Sequence, residues 1–198
     1  NMMYGDAKGN IAWFASAKLY HKRDSLDTRL VLDGASGEDE IVSFIDFKDN
    51  PQAVNPDWNY VYSANNQPDS ILGKFYTGYY LPYDRAERIK YLIENNNSWD
   101  KKDMQDMILD HTSLQVVDNL NFVLPTLSEI ASTDNEKRAV EVLSSWDGDY
   151  DKTLSAPTIY CKFLNEFMKN TFQDEMKDEA YKAFQTTQLN KRMIHAQL

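Results

Sequence analysis

Cysteine is nearly missing from this 198-residue chain. The single residue, Cys161, excludes an internal disulfide framework and a cysteine-rich zinc site. Positive charge is short as well. Lys and Arg number 21 against 31 Asp and Glu, a net charge of −10. A nucleic-acid binder needs the opposite sign to displace counterions from phosphate, so no nucleic-acid partner is expected. No apolar run approaches the ~20 residues of a membrane helix. His21, His111 and His195 are too scattered for a zinc motif, with no HExxH and no pair at helical spacing. Gly5–Asn10 is not a phosphate loop, because it lacks the GK[ST] ending and a following helix. Internal repeats and low-complexity segments are absent too.

What remains is a chain able to fold. Hydrophobic residues make up 42% and aromatics 13%, which suits one ordinary domain, or one and a part. Asn1–Tyr4 falls in a strand-like pattern and Met193–Ala196 in a helical one, so an interior piece of a longer chain is expected. The pattern divides at about residue 81. Residues 1–81 read as strands and loops, and residues 82–198 as helices.

In the first part, Gly5–Asn10 is a glycine-bearing turn between two apolar stretches, the mark of a hairpin over residues 4–14. Leu30–Leu32 before Asp33-Gly34 predicts a short strand, and Ile41–Phe47 is a further apolar run. Asn50-Pro51 and Asn55-Pro56 punctuate a loop. Trp58–Ser63 alternates aromatic and polar residues, as a half-buried strand does, and ends at Ala64-Asn65-Asn66.

In the second part, Ala86, Ile89, Leu92 and Ile93 share a helix face that ends at Asn95-Asn96-Asn97. Asp100 is a good N-cap, and one apolar stripe then runs from Met104 to Leu124, where Pro125 breaks or kinks the helix. Glu136–Trp146 is a third helix, stopped by Asp147-Gly148. Ser155 caps a fourth, with Ile159, Tyr160, Phe163, Leu164, Phe167 and Met168 buried. A last helix starts near Asp174, with Met176, Tyr181, Phe184 and Leu189 on its apolar side. Helix exceeds strand, which makes the fold class α+β.

Few residues stand out for chemistry. His111 lies on an apolar stripe and is expected buried and hydrogen-bonded, and Cys161 is expected in the core. Asp103, Asp106 and Asp110 recur on one helix side. They either hold a cation or serve the helix N-terminus and nearby cations. Asn65, at a strand end before a proline turn, has two readings. It forms an Asx turn, or its amide donates to a developing oxyanion. The aromatics Phe75, Tyr76, Tyr79, Tyr80 and Tyr83 either line an apolar ligand pocket or pack the β part against the helices.

The order of several phrases resembles the penicillin acylase family of N-terminal nucleophile hydrolases. They are Tyr4–Ile11, Arg29–Gly34, Asn55-Pro56 through Asn66, Arg88–Ile93, Asp103–Ser113, Leu124–Leu127 and Trp146–Gly148. The resemblance reaches to roughly residue 170. It implies strands of an αββα core followed by a helical region, and amide hydrolysis by a serine freed at the β-chain N-terminus, upstream of Asn1. It assigns the oxyanion-binding amide to Asn65 and a positioning role to Arg88. Tyr79 and Tyr80 would then contact substrate. No cofactor is required, although some members bind calcium, one ligand being a backbone carbonyl at the position of Thr28. The implied partners are a small N-acyl amide and the remaining segments of the parent protein, with export to the periplasm. The chain alone, without its serine, is expected to be inactive. The competing expectation is an acidic helical interaction module that contacts partners through Tyr79 and Tyr80, or a family member that has lost its nucleophile.

Overall fold

The computed structural model describes residues 1–24, 26–28, 30–68, 76, 78 and 80–187. The chain divides into two compact units, Asn1–Ala86 and Glu87–Leu198. The first holds the strands and the second most of the helix, so the fold is α+β with helix in excess.

The first unit opens with an antiparallel hairpin of β1 (Met2–Gly5) and β2 (Ile11–Phe14), in which Met3 faces Trp13. Its turn is built by one side chain. The Asp6 carboxylate accepts the backbone N–H groups of Lys8 and Asn10 and the side-chain amide of Asn10. These bonds favour the charged form and hold its pKa down at about 2. Gly9 supplies the positive φ of 86° that closes the turn. A short ladder joins β3 (Tyr20–His21) to β4 (Ser43–Phe44). A third strand, β5 (Gln52–Val54), pairs with β2 on the side away from β1, with Ala53 opposite Trp13.

Three strand expectations change here. Leu30–Leu32 forms no strand: Leu30 is largely exposed and Val31 wholly so, and neither joins a sheet among the described residues. Trp58–Ser63 is irregular, because Asn59 adopts a left-handed φ of 62° that interrupts the extended run. The prolines hid β5. Pro51 sits just before it and Pro56 just after, and a sheet edge tolerates that punctuation.

The helices are α1 (Asp84–Glu94), α2 (Lys101–Leu109), α3 (Leu114–Ile130), α4 (Asp134–Ser144) and α5 (Ala156–Gln185). Reciprocal caps start two of them. Asp100 exchanges bonds with Asp103, and Thr133 with Glu136. The Glu136 carboxylate also takes the Ser132 N–H, and its pKa falls to about 2.

The single helix expected up to Pro125 is two. It breaks over residues 110–113, where Asp110 is extended and its carboxylate accepts the Thr112 N–H. Thr112 then bridges to Asp149, and the Ser113 N–H donates to the Gly148 carbonyl. Proline does not stop α3, which runs on to Ile130. Pro125 and Asn121, four residues earlier, are both exposed, so the carbonyl deprived of its donor lies on a solvated face.

The main core of this unit joins Val116 and Leu120 of α3, Leu143 and Trp146 around the end of α4, and Ala156 and Tyr160 of α5. Its buried polar groups are paired: the Asn119 amide donates to the Tyr160 hydroxyl at 2.9 Å, and the Trp146 indole N–H to the Asp149 carbonyl at 2.7 Å. A second cluster gathers Met168, Tyr181 and Phe184. In a straight helix Met168 and Phe184 would stand about 24 Å apart. They meet because Lys177 leaves helical geometry, with φ 62° and ψ 166°, and the chain folds back. The last helical segment therefore begins after Lys177 rather than near Asp174. Of the expected face, Tyr160 and Met168 are buried, while Ile159, Phe163, Leu164 and Phe167 are half-buried. Leu189 lies outside the described residues.

Cys161 is exposed, not buried, because it falls on the outer side of α5. His111 is exposed as well. The helix break carries it off the apolar stripe, and its Nδ1 meets the Asp149 carboxylate at 2.5 Å.

Candidate functional site

Ala64, which is fully buried, anchors the segment that carries Asn65. The local side-chain turn belongs to the next residue: Asn66 Oδ1 accepts the Ala64 N–H at 3.2 Å. Asn65 itself is left-handed, with φ 60°, a region that asparagine visits more readily than most residues. Its carbonyl accepts the Leu81 N–H at 2.8 Å. The residue is exposed, and among the described residues its side-chain amide makes no hydrogen bond. Backbone strain thus turns the chain here, while the amide N–H groups stay available to an outside acceptor.

Arg88, on α1, is committed. Its Nε and Nη2 donate to the two oxygens of Asp110 at 2.9 and 2.6 Å, a two-point fork that matches a carboxylate. The guanidinium also lies over the Tyr91 ring, 5.2 Å from its centre. Both side chains are about four-fifths covered. The hydrogen bond to Asp110 raises the Arg88 pKa, and the bond from Arg88 lowers that of Asp110. Asp110 recurs with Asp103 and Asp106 at helical spacing in the sequence. The three part ways. Asp103 completes a cap, Asp106 pairs with Lys102 at 2.5 Å, and Asp110 ties the end of α2 to α1. Periodicity carries no signal for a pair 22 residues apart.

Removing this pair has a defined cost. Arg88→Ala leaves a largely covered carboxylate unpaired and is expected to destabilise the second unit by about 2 kcal/mol at neutral pH. The Asp110 carboxyl is held below its ordinary value of 3.8 when folded. Its stabilising contribution is therefore present above pH 3.8 and is lost as acid takes the pH down through the folded value. Denaturation of wild type and variant across this range should show the gap closing in acid. A gap independent of pH would mean that packing on Tyr91, and not charge, is what Arg88 supplies.

The aromatic group separates. Tyr79 and Phe75 lie outside the described residues. The Tyr80 hydroxyl donates to the Tyr76 carbonyl at 3.1 Å, and the Tyr76 hydroxyl accepts the Tyr20 N–H at 3.4 Å. Burial pushes both phenol pKa values up. Tyr83 is half exposed and donates to the Gln67 carbonyl. Thr28 is half-buried in a turn. Among the described residues no three His, Cys, Asp or Glu side chains converge on a possible metal position. No helix among them is long and apolar enough to cross a membrane.

Comparison with known proteins agrees with the fold. The family model described as penicillin amidase matches residues 1–197. The acyl-homoserine lactone acylase QuiP of Pseudomonas aeruginosa is 28% identical over 204 aligned positions, which cover 94% of this chain and 24% of that protein. The thermostable penicillin G acylase from Alcaligenes faecalis shares the fold with a TM-score of 0.65 at 22% identity, over 91% of this chain and 34% of its own. The chain thus spans about a quarter to a third of the length of these proteins.

Proposed function

This chain belongs to the penicillin amidase family, and from that membership we propose that it forms part of an amide hydrolase that works through an N-terminal serine outside these residues. The observation that carries the reading is the state of Asn65: exposed, left-handed, and with its amide engaged by no described residue. In this reading the serine hydroxyl attacks the amide carbon and its own α-amino group takes the proton. The carbonyl oxygen gains negative charge as the tetrahedral intermediate forms. Asn65 donates an amide N–H to that oxygen, a bond stronger in the transition state than in the ground state. Collapse expels the amine, which leaves with that proton from the α-ammonium, and water, its proton taken in turn by the α-amino group, then releases the acid from the acyl-serine.

Arg88 acts through the segment it holds and is a positioning residue. Tyr79 and Tyr80 are assigned to the substrate side of the site. The substrate is an N-acyl amine: the side chain of a β-lactam, an acyl-homoserine lactone, or a similar linear amide. Export to the periplasm accompanies this reading. In this reading the chain on its own brings an oxyanion donor without the N-terminal serine, and it hydrolyses no amide.

The test is the intact mass of the full-length protein before and after incubation, with N-terminal sequencing of its fragments. Two chains, the larger beginning with serine, are the expected result. A single chain that stays uncleaved overturns the reading, as does serine-dependent amide turnover by the 198-residue chain alone.

A further inference from the structure

No helix breaker accounts for the reversal in α5. From Phe172 to Gln185 there is no glycine, proline or β-branched residue, and Gln173, Glu175, Met176, Lys177 and Ala180 are all good helix formers. Lys177 nevertheless takes φ 62° and ψ 166°, a combination almost confined to glycine. Its side chain is exposed, so packing of its own does not offset the strain. The offset comes from either side of the bend. Phe184 packs on Phe172 with ring centres 5.7 Å apart, and it forms the buried cluster with Tyr181 and Met168. Across the bend, the Gln173 amide donates to the Asp178 carboxylate at 2.6 Å.

A helical Lys177 would remove the strain and make residues 156–185 one straight rod, about 45 Å long. In that rod Tyr181 and Phe184 stand about 20 and 24 Å from their own Met168, beyond its reach. The apolar faces on both sides of the hinge are then uncovered. The surface that fits each of them already exists, on the same segment of another copy. In the bent chain the segment after Lys177 folds back on the segment before it. Two straight rods laid antiparallel, with Lys177 at the twofold axis, therefore rebuild both clusters, each from two chains. We propose that the partner of this surface is a second copy of this chain, and that the two copies exchange residues 178–185 through a straightened Lys177. A short connection under strain is what invites such an exchange.

The exchange keeps the apolar contacts of the cluster and relieves two strained residues. It gives up the exposed bond between Gln173 and Asp178. It also sets Asp174 beside Asp178, and Glu175 beside Glu179, at helical spacing. Like-charge pairs on a solvated face cost less than a residue held in glycine's region of the backbone. The main opposition is the entropy of association, so concentration decides which form is populated. The proposal concerns the second unit and does not rest on the hydrolase reading.

The experiment uses the 198-residue chain. Sedimentation velocity from micromolar to millimolar concentration should show monomer giving way to dimer. A dimer refolded from an equal mixture of isotope-labelled and unlabelled chains should give isotope-filtered contacts between the Met168 methyl of one chain and the Phe184 ring of the other. Lys177→Gly relieves the strain of the bent chain and weakens the straight helix. It should raise the dimer dissociation constant about a hundredfold. Lys177→Ala removes the same charge but keeps the strain, and should dimerise at least as tightly as the wild type. Both changes are at an exposed position and spare the cluster. A chain that stays monomeric throughout overturns the proposal. So does a dimer in which Met168 meets Phe184 only within one chain, and so does a Lys177→Gly variant that dimerises as tightly as the wild type.

Discussion

In the full-length protein, Asn65→Gly should lower kcat for its amide substrate by about a hundred- to a thousandfold and leave the fold intact. Glycine is the informative replacement, because Asn65 has a φ of 60°. Alanine there would add a left-handed strain of about 1–2 kcal/mol, and a loss of activity would then have two causes. Glycine keeps the backbone and deletes only the amide. The carbonyl that accepts from Leu81 is untouched, and the turn bond belongs to Asn66. Nothing among the described residues loses a partner. A matched fall in kcat and kcat/KM marks an interaction made only in the transition state. If Asn65→Gly is fully active and Asn65→Ala is not, Asn65 is a backbone turn residue and the oxyanion assignment fails.

The largest expected loss of stability lies at Gly148→Ala. Gly148 has a φ of 85°, and a Cβ there would stand 2.3 Å from the carbonyl oxygen of Ser113. The clash is with backbone, so no rotamer relieves it. The two segments would have to part, breaking the bond from Ser113 N–H to the Gly148 carbonyl and straining that from Tyr150 N–H to the His111 carbonyl. Left-handed strain and the lost packing together should cost about 3–4 kcal/mol. For a unit of this size that lowers Tm by ~15 °C. Gly34→Ala is the control: a Cβ there meets nothing within 4 Å and φ is not positive, so thermal unfolding should be nearly unchanged. A fall of only a few degrees for Gly148→Ala would mean that the segments at residues 113 and 148 can part without losing their bonds.

These sites show what the sequence makes legible. Some structures made by neighbours in sequence are announced by their residues, although the left-handed Asn59 and Lys177 are not. The hairpin turn needs Asp6, Gly9 and Asn10, all within five positions. Two caps need only residues three apart. The helix break at residues 110–113 is different. Its causes are Arg88 on one side and Gly148 and Asp149 on the other, and the apolar stripe passes through it without interruption. The same break carries His111 off the stripe that its spacing suggests. The strand β5 was masked by prolines that act as breakers in a central strand and are tolerated at an edge. The residues around Asn65 suit a turn and an oxyanion donor alike, and the family resemblance favours the second.

The reversal at Lys177 divides the stability of α5 between two cores. Its first half is riveted by Tyr160 into the main cluster, whereas Tyr181 and Phe184 rest on Met168 and the half-buried rings of Phe167 and Phe172. The outer cluster is small and depends on a turn in a backbone region that lysine seldom adopts. The amides of residues 178–185 therefore belong to a separate unit of hydrogen exchange, one that opens and closes many times for each global unfolding of the helices behind it.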